Sequence, residues 1–231
     1  MSRFECIGLT KRYGSLTALD HIDLSLDAGR IVGLLGPNGS GKTTLIKLAN
    51  RLLKPTEGEI RIDGLLPGPE TKQMTAYLPD KDYLPDWMRV GQLISMFSDF
   101  YPDFRAEKAQ EMLQSLSIDP KMPVKKMSKG TREKVQLIMT MSRSARVYLL
   151  DEPIAGVDPA ARDYILRTIL TNYAEDSLVV ISTHLIADVE SVLDEAVFIQ
   201  NGHIRLHQSV DELREQTGMS VDGYFREVFK C

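Results

Sequence analysis

Residues 31–44 read Ile31-Val32-Gly33-Leu34-Leu35-Gly36-Pro37-Asn38-Gly39-Ser40-Gly41-Lys42-Thr43-Thr44. The apolar run of five residues predicts a buried strand, and the sequence after the loop is typical of a helix. The loop between them fits the pattern G-x-x-x-x-G-K-[ST] in full. Its glycines let successive backbone N–H groups point at an anion, and the N-terminus of the following helix favours negative charge. We therefore expect a phosphate-binding loop in which Lys42 meets the outer phosphates and Thr43 ligates Mg²⁺.

The composition sets limits on the class of protein. The chain has 231 residues, 43% of them apolar, and a formal net charge of −4, which gives no electrostatic argument for nucleic acid as the main partner. Cys6 and Cys231 lie near opposite ends, so neither a disulfide framework nor a CxxC motif follows, and a reducing cytosol fits. The N-terminus lacks the apolar region of a signal peptide, and no apolar run approaches the ~18 residues of a membrane span. We expect any membrane role to come through a partner chain.

Strands and helices alternate along the rest of the chain. Apolar patterning predicts strands at residues 4–9, 22–26, 59–64, 74–78, 146–150 and 178–183, and a hairpin around Asn201-Gly202. A helix is predicted from residue 159 to 173, and the tail from residue 209 onward has helical composition. This order favours an α/β fold, with a parallel sheet wrapped by helices.

The composition changes after Asp80. Residues 85–118 are rich in aromatic residues and Met, and their apolar positions fall at helical spacing. We interpret residues 80 to about 144 as a mostly helical insertion. The single domain would then consist of an α/β core at 1–79 and 145–231 with a helical subdomain at 80–144.

Two adjacent carboxylates end the predicted strand at residues 146–150. Asp151 and Glu152 would lie at the C-terminal edge of the sheet, where open α/β folds bind ligands. We expect Asp151 to hold Mg²⁺ through water and Glu152 to polarise an attacking water molecule.

Four further segments resemble motifs of one family. The stretch Met127-Ser128-Lys129-Gly130-Thr131-Arg132-Glu133-Lys134 resembles the signature segment of ABC-type ATPases, and residues 155–159 resemble their D-loop, which contains Asp158. Ser182-Thr183-His184 resembles their switch histidine, and Tyr13 stands where they carry an aromatic that stacks on adenine. The chain is thus similar to ATP-binding subunits of ABC transporters over its whole length.

The resemblance implies a fold, a set of ligands and a set of partners. The fold would be a P-loop NTPase (RecA-like) core with a small antiparallel β subdomain and a helical subdomain. ATP and Mg²⁺ are the implied ligands. The partners would be a second ATPase subunit and separately encoded transmembrane permease chains, on the cytoplasmic face of the cell membrane. The departures described below, and a short C-terminal tail, resemble the exporters of bacteria.

The resemblance also implies site residues. ATP-binding positions would be Tyr13, Gly36, Pro37, Asn38, Gly39, Ser40, Gly41, Lys42, Thr43 and Thr44. Glu152 and His184 would be catalytic, and Thr43, Asp80 and Asp151 would hold the metal. Ser128, Lys129 and Gly130 would bind the ATP of a partner subunit paired head to tail, with Asp158 at the seam. Ser128 and Gly130 precede a predicted helix at 132–143, and a hydroxyl with free N–H groups at a helix N-terminus forms an anion site.

Two departures from the family pattern leave alternatives open. Lys129 and Thr131 replace usual signature residues, and the Lys129 cation either tightens ATP binding or lies in solvent. Asp80 replaces a glutamine, and it either ligates Mg²⁺ or caps a turn with Lys81.

Several other assignments have a structural alternative. Asp158 can simply cap the helix that begins at residue 159, and Tyr13 can belong to the core. Tyr83, Trp87 and Met88 either pack inside the helical insertion or line a groove for a short helix of a membrane partner. Two other functions compete with transport: a soluble ABC-type ATPase that acts on ribosomes or DNA, and a regulatory module that binds ATP without hydrolysis.

Overall fold

Two sheets organise the protein. This computed structural model describes residues 2–229, apart from the side chains of residues 159–161, so Cys231 lies outside the described residues. The strands are β1 (Ser2–Tyr13), β2 (Leu16–Asp27), β3 (Arg30–Leu35), β4 (Glu57–Ile62), β5 (Thr75–Leu78), β6 (Val147–Asp151), β7 (Leu178–Thr183), β8 (Glu195–Gln200) and β9 (His203–Ser209). The helices are α1 (Lys42–Ala49), α2 (Pro69–Met74), α3 (Val90–Phe100), α4 (Ala106–Ser115), α5 (Lys129–Met141), α6 (Pro159–Asn172), α7 (Ile186–Val189), α8 (Val210–Thr217) and α9 (Val221–Val228).

The larger sheet has six strands in the order β5-β6-β7-β3-β8-β9. Its first five strands are parallel, and β9 pairs antiparallel with β8 through the Asn201-Gly202 turn. Both turn residues have positive φ, 50° and 77°, as a two-residue hairpin of this sequence requires. β6 and β7 are buried along their whole length, which is why their sequences are continuous apolar runs rather than alternating ones.

The smaller sheet has the order β2-β1-β4 and is antiparallel. Its alternating strands place Phe4, Leu24 and Ile60 in one apolar cluster with residues of α1 and β3. The small sheet therefore packs against the phosphate-loop helix.

The helices α3, α4 and α5 lie within residues 80–144 and enclose an apolar cluster of their own. Val90, Leu93 and Phe97 of α3 face Leu113 of α4 and Val135 of α5 there. The predicted domain boundaries at 79/80 and 144/145 stay predictions.

The α/β class with an antiparallel sheet and a helical region is confirmed. Several element boundaries were wrong. β1 continues to Tyr13 because it pairs with β2 up to the turn, and α5 begins at Lys129 rather than residue 132 because Ser128 caps it. Within the described part of the chain, every helix is too short or too polar to cross a membrane.

Candidate functional site

The phosphate loop joins β3 to α1. Gly41, with φ of 115°, precedes the first helical residue, Lys42. Gly36 has no room for a side chain, because a Cβ there would lie 2.3 Å from the carbonyl oxygen of Ile199 and 2.7 Å from Ser40 Oγ. The glycines of the motif are thus required by backbone conformation at Gly41 and by close packing at Gly36.

Lys42 is buried and folds back into its own loop. Its Nζ donates to the carbonyl oxygens of Gly36 at 2.7 Å and Pro37 at 3.1 Å, and it lies 3.6 Å from Glu152 Oε1. Burial lowers the pKa of Lys42, and the neighbouring Glu152 and Asp151 carboxylates oppose that shift. The ammonium group is therefore held at the mouth of the loop, where the outer phosphates of a nucleotide would lie.

Asp151 ends β6 and is fully buried. Its Oδ1 accepts hydrogen bonds from Ser182 Oγ at 2.5 Å and Thr43 Oγ1 at 3.2 Å, while its buried Oδ2 has no hydrogen-bond partner among the described residues. Burial raises the pKa of Asp151, and the carboxylates of Asp80 and Glu152 add to that shift. Hydroxyl and carboxylate oxygens are the ligands that Mg²⁺ prefers, so Thr43 and the spare Asp151 oxygen fit the metal.

Glu152 and His184 are brought together. Both carboxylate oxygens of Glu152 lie 3.1 Å from His184 Nδ1. The backbone of Glu152 has a φ of 52°, a left-handed conformation that is unusual for a residue other than glycine, and its N–H donates to the carbonyl of Ser182 at 3.0 Å. The Glu152 carboxylate also lies 3.6 Å from Lys42 Nζ, at the phosphate loop.

These residues line one cavity of about 530 Å³. The lining residues are Tyr13, Leu16, Ala18, Asn38, Gly39, Ser40, Gly41, Lys42, Thr43, Thr44, Asp80, Glu152, Ala155 and His184. A larger cavity of about 740 Å³ lies elsewhere, between the end of α1, β4 and α2, and none of its lining residues belongs to the predicted site. The smaller of the two is the candidate nucleotide site, because it contains the phosphate loop and the paired carboxylate and histidine.

The signature segment lies at the N-terminus of α5. Ser128 Oγ accepts from the N–H of Thr131 at 3.2 Å and shares a hydrogen bond with the Thr131 hydroxyl at 2.9 Å. No heavy atom of the described residues lies within 4 Å of a Cβ built on Gly130, apart from its chain neighbours and its own helix backbone. Neither Ser128 nor Gly130 lines the 530 Å³ cavity, so an anion at this helix end would have to come from outside that cavity.

Lys129 of the signature segment and Asp80 of the 530 Å³ cavity both line a smaller cavity. Lys129 is largely exposed, and its Nζ lies 3.8 Å from Glu133 Oε1. It also lines a cavity of about 140 Å³ together with Asp80 and Glu152. Asp158 is exposed just before α6, and its carbonyl accepts from the N–H of Arg162 at 3.1 Å. The structure leaves the roles of these residues as predictions.

The sequence analysis missed a role for Ser182. The Ser182 hydroxyl hydrogen-bonds Asp151, and its carbonyl holds the backbone of Glu152, so it supports both carboxylates. The sequence carried a signal for this role, because Ser182 is a small polar residue next to the end of the buried strand β7, where it pairs with Asp151 of β6. Leu16 was also missed; it pairs with Tyr13 across the first hairpin and is exposed to the cavity.

Comparisons with known proteins agree on one family. The sequence model of the family described as ABC transporter matches residues 19–155. The chain is 28% identical, over 94% of its own length and 93% of the relative's, to the SkfA peptide export ATP-binding protein SkfE of Bacillus subtilis. It is also 28% identical, over 94% of its length and 45% of the relative's, to the nucleoside import ATP-binding protein NupA of Lactococcus lactis. A solved structure described as the ATP-binding subunit of an ABC transporter superposes with a TM-score of 0.89 at 27% identity, and the match covers 99% of this chain and all of that one.

Proposed function

Because the chain belongs to the ABC transporter family and is an ATP-binding, ATP-hydrolysing subunit of that class, we propose that two copies, or this chain and a related one, pair head to tail around ATP. Hydrolysis would then drive separately encoded membrane chains. The observation that supports the pairing most directly is the placement of Ser128 and Gly130 at a helix N-terminus that does not line the chain's own nucleotide cavity. A nucleotide bound to the phosphate loop of a second subunit supplies the missing anion.

The reacting groups take separate roles. The Lys42 ammonium exchanges its loop carbonyls for the outer phosphate oxygens, and Thr43, Asp151 and Asp80 would hold Mg²⁺. The metal, when bound, neutralises charge on the phosphate oxygens. Asp80 adds an oxygen ligand in place of the glutamine that the family pattern carries, and it lines the same cavity.

Glu152 is placed to act on water. Its carboxylate hydrogen-bonds the attacking water and accepts a proton from it as the oxygen joins the γ-phosphorus and the bond to the β–γ bridging oxygen breaks. His184 Nδ1 contacts Glu152 at 3.1 Å and holds its orientation, and the ring lies at the cavity where it can meet a γ-phosphate oxygen.

A groove beside β5 supports the proposed contact with a membrane partner. It has a volume of about 300 Å³, and its walls include Thr75, Tyr77 and Tyr83. The hydroxyls of Thr75 and Tyr77 are buried without a hydrogen-bond partner in the described part of the chain. Trp87, four residues after Tyr83, is 76% exposed, whereas Met88 packs against the apolar cluster of the helical region.

The direction of transport is proposed to be export. The departures at Asp80 and Lys129 support this direction by resemblance, and one relative is named for peptide export. Another relative is named for nucleoside import, so the direction of transport depends on the membrane chains with which the subunit assembles. We place the subunit on the cytoplasmic face of the membrane, where it would be attached through those chains.

ATPase assays on the wild type and Glu152→Gln test this function. We expect Mg-ATP turnover by the wild type, loss of at least two orders of magnitude in Glu152→Gln, and stable ATP-dependent dimers of the variant. Turnover by neither protein, with ATP binding retained, would contradict the proposal and favour a regulatory module. Co-purification with a polytopic membrane chain, rather than with ribosomes or DNA, distinguishes a transporter subunit from a soluble ATPase.

A further inference from the structure

Tyr13 lines the proposed nucleotide cavity, and its side chain is too exposed for packing alone to hold the ring in one orientation. It is 44% exposed at the end of β1, next to the turn into β2. A side chain that is free to rotate in the unbound protein loses about 0.5–1.5 kcal/mol when a ligand immobilises it. Any contact that already holds the Tyr13 ring in place would therefore improve the binding of a base that stacks on it.

Lys11 makes such a contact. Its Nζ lies over the Tyr13 ring, 5.1 Å from the centroid, which is within the range of a cation–π interaction. The same ammonium donates a hydrogen bond to the carbonyl oxygen of Lys54 at 2.8 Å, in the segment that follows α1. Lys11 is thus held on one side by the backbone and in turn restrains one face of the ring.

Lys11 lies outside the cavity in which the phosphates of a nucleotide would bind. Tyr13 is one of the described residues that line the 530 Å³ cavity, and Lys11 is not. With one ring face covered by the cation, the other face is available to a planar base. The next residue, Arg12, pairs instead with Glu57 of β4 and makes no cation–π contact with Tyr13 among the described residues.

We infer that Lys11 is a positioning residue for the base of the nucleotide: through Tyr13 it increases affinity for the base and leaves affinity for the triphosphate unchanged. This inference rests on the proposed function of the same cavity. An exposed cation–π contact contributes about 0.5–1 kcal/mol, which corresponds to a two- to fivefold change in Kd.

The test compares two ligands on the full chain by calorimetry: Mg-ATP and Mg-tripolyphosphate, which has no base. We expect Lys11→Met to raise the Kd for ATP two- to fivefold, with an unchanged Kd for tripolyphosphate. Lys11→Arg should restore ATP affinity, because guanidinium also binds an aromatic face. Arg12→Met is the matched control, with no expected change for either ligand.

A Tyr13→Ala background shows whether Lys11 acts through the ring. There Lys11→Met should have no further effect on ATP. An equal loss for ATP and tripolyphosphate, or the same loss in the Tyr13→Ala background, would overturn the inference while the ATP site itself stands. If the wild type bound neither ligand, both the site and the inference would fail.

Discussion

Asp151 is a residue whose position favours function over stability. A fully buried carboxylate with one unpartnered oxygen is costly in the absence of a metal, and burial raises its pKa accordingly. The sequence predicted this residue from its place at the end of a buried strand. It did not predict the Ser182 hydrogen bond, because cross-strand partners depend on the register of distant segments.

We expect Asp151→Asn to raise the thermal unfolding midpoint of the nucleotide-free protein and to abolish Mg²⁺-dependent turnover. The amide retains an acceptor for Ser182 and Thr43 while removing a buried charge; a gain of about 1 kcal/mol corresponds to about 2–4 °C for a chain of this size. Asp63→Asn is the matched control and should lower the midpoint, because Asp63 pairs with Arg3 at 2.7 Å and Arg146 at 2.6 Å. A lower midpoint in Asp151→Asn would show that the charge is stabilising without metal.

A substitution at Gly130 can test the function of the signature segment without disturbing the fold. It is the second residue of α5, and a Cβ there would meet open space, so Gly130→Ala should leave stability equal or raise it by up to about 1 kcal/mol. The added methyl would nevertheless stand where we propose that the nucleotide of a second subunit docks. We expect near-wild-type unfolding and ATPase activity reduced at least tenfold. Wild-type turnover in Gly130→Ala would count against the shared site.

At the scale of elements, Arg143 connects the helical region to the larger sheet. It follows α5 and is almost fully buried, and it donates to the carbonyl of Thr75 at 2.6 Å and to Asp103 at 3.0 Å, as well as to the carbonyl of Gln73. Its guanidinium also stacks on Tyr101, with the central carbon 3.9 Å from the ring centroid. One side chain thus holds the start of β5, the end of α2 and the loop after α3.

Arg143→Lys should lower the free energy of unfolding by about 3 kcal/mol, because an ammonium group cannot reproduce the planar fork of donors and leaves buried carbonyls unpaired. Denaturant unfolding measures this change. The control is Arg146→Lys, whose side chain is 59% exposed in its pair with Asp63 and which should cost less than about 1 kcal/mol. Equal effects of the two substitutions would contradict this role.

Periodicity predicted most strands but not α2. The six residues of α2, Pro-Glu-Thr-Lys-Gln-Met, carry no apolar repeat. The helix depends instead on Pro69 at its start and on the Thr71 hydroxyl, which hydrogen-bonds the N–H of Gly68 at 2.8 Å. Similarly, Lys11, Arg12 and Tyr13 belong to β1 because β2 pairs with them, which a polar sequence does not indicate.

At the scale of the whole molecule, sequence motifs predicted that the phosphate loop, Glu152 and His184 meet at the cavity, because β3, β6 and β7 are parallel neighbours that end at the same edge of the larger sheet. They could not identify the membrane partner, since its surface belongs to other chains. We propose that this partner docks at the groove beside β5, which Tyr83 lines.

Trp87→Ala should uncouple transport in a reconstituted complex with the membrane chains, because it removes a largely exposed aromatic side chain four residues after Tyr83 of the groove, while the nucleotide cavity is untouched. ATP binding by the isolated subunit should not change. Leu66→Ala is the control: it is exposed but lines the cavity near α2 instead, and should transport normally. Unchanged transport in Trp87→Ala would exclude this residue from the contact.

The most direct test of the shared site is a structure of Glu152→Gln with Mg-ATP. We predict a head-to-tail dimer in which Ser128 Oγ and the N–H of Gly130 of one subunit lie within hydrogen-bond distance of the γ-phosphate held by Lys42 of the other. A nucleotide-bound structure with residues 128–130 far from every ATP molecule would contradict the account.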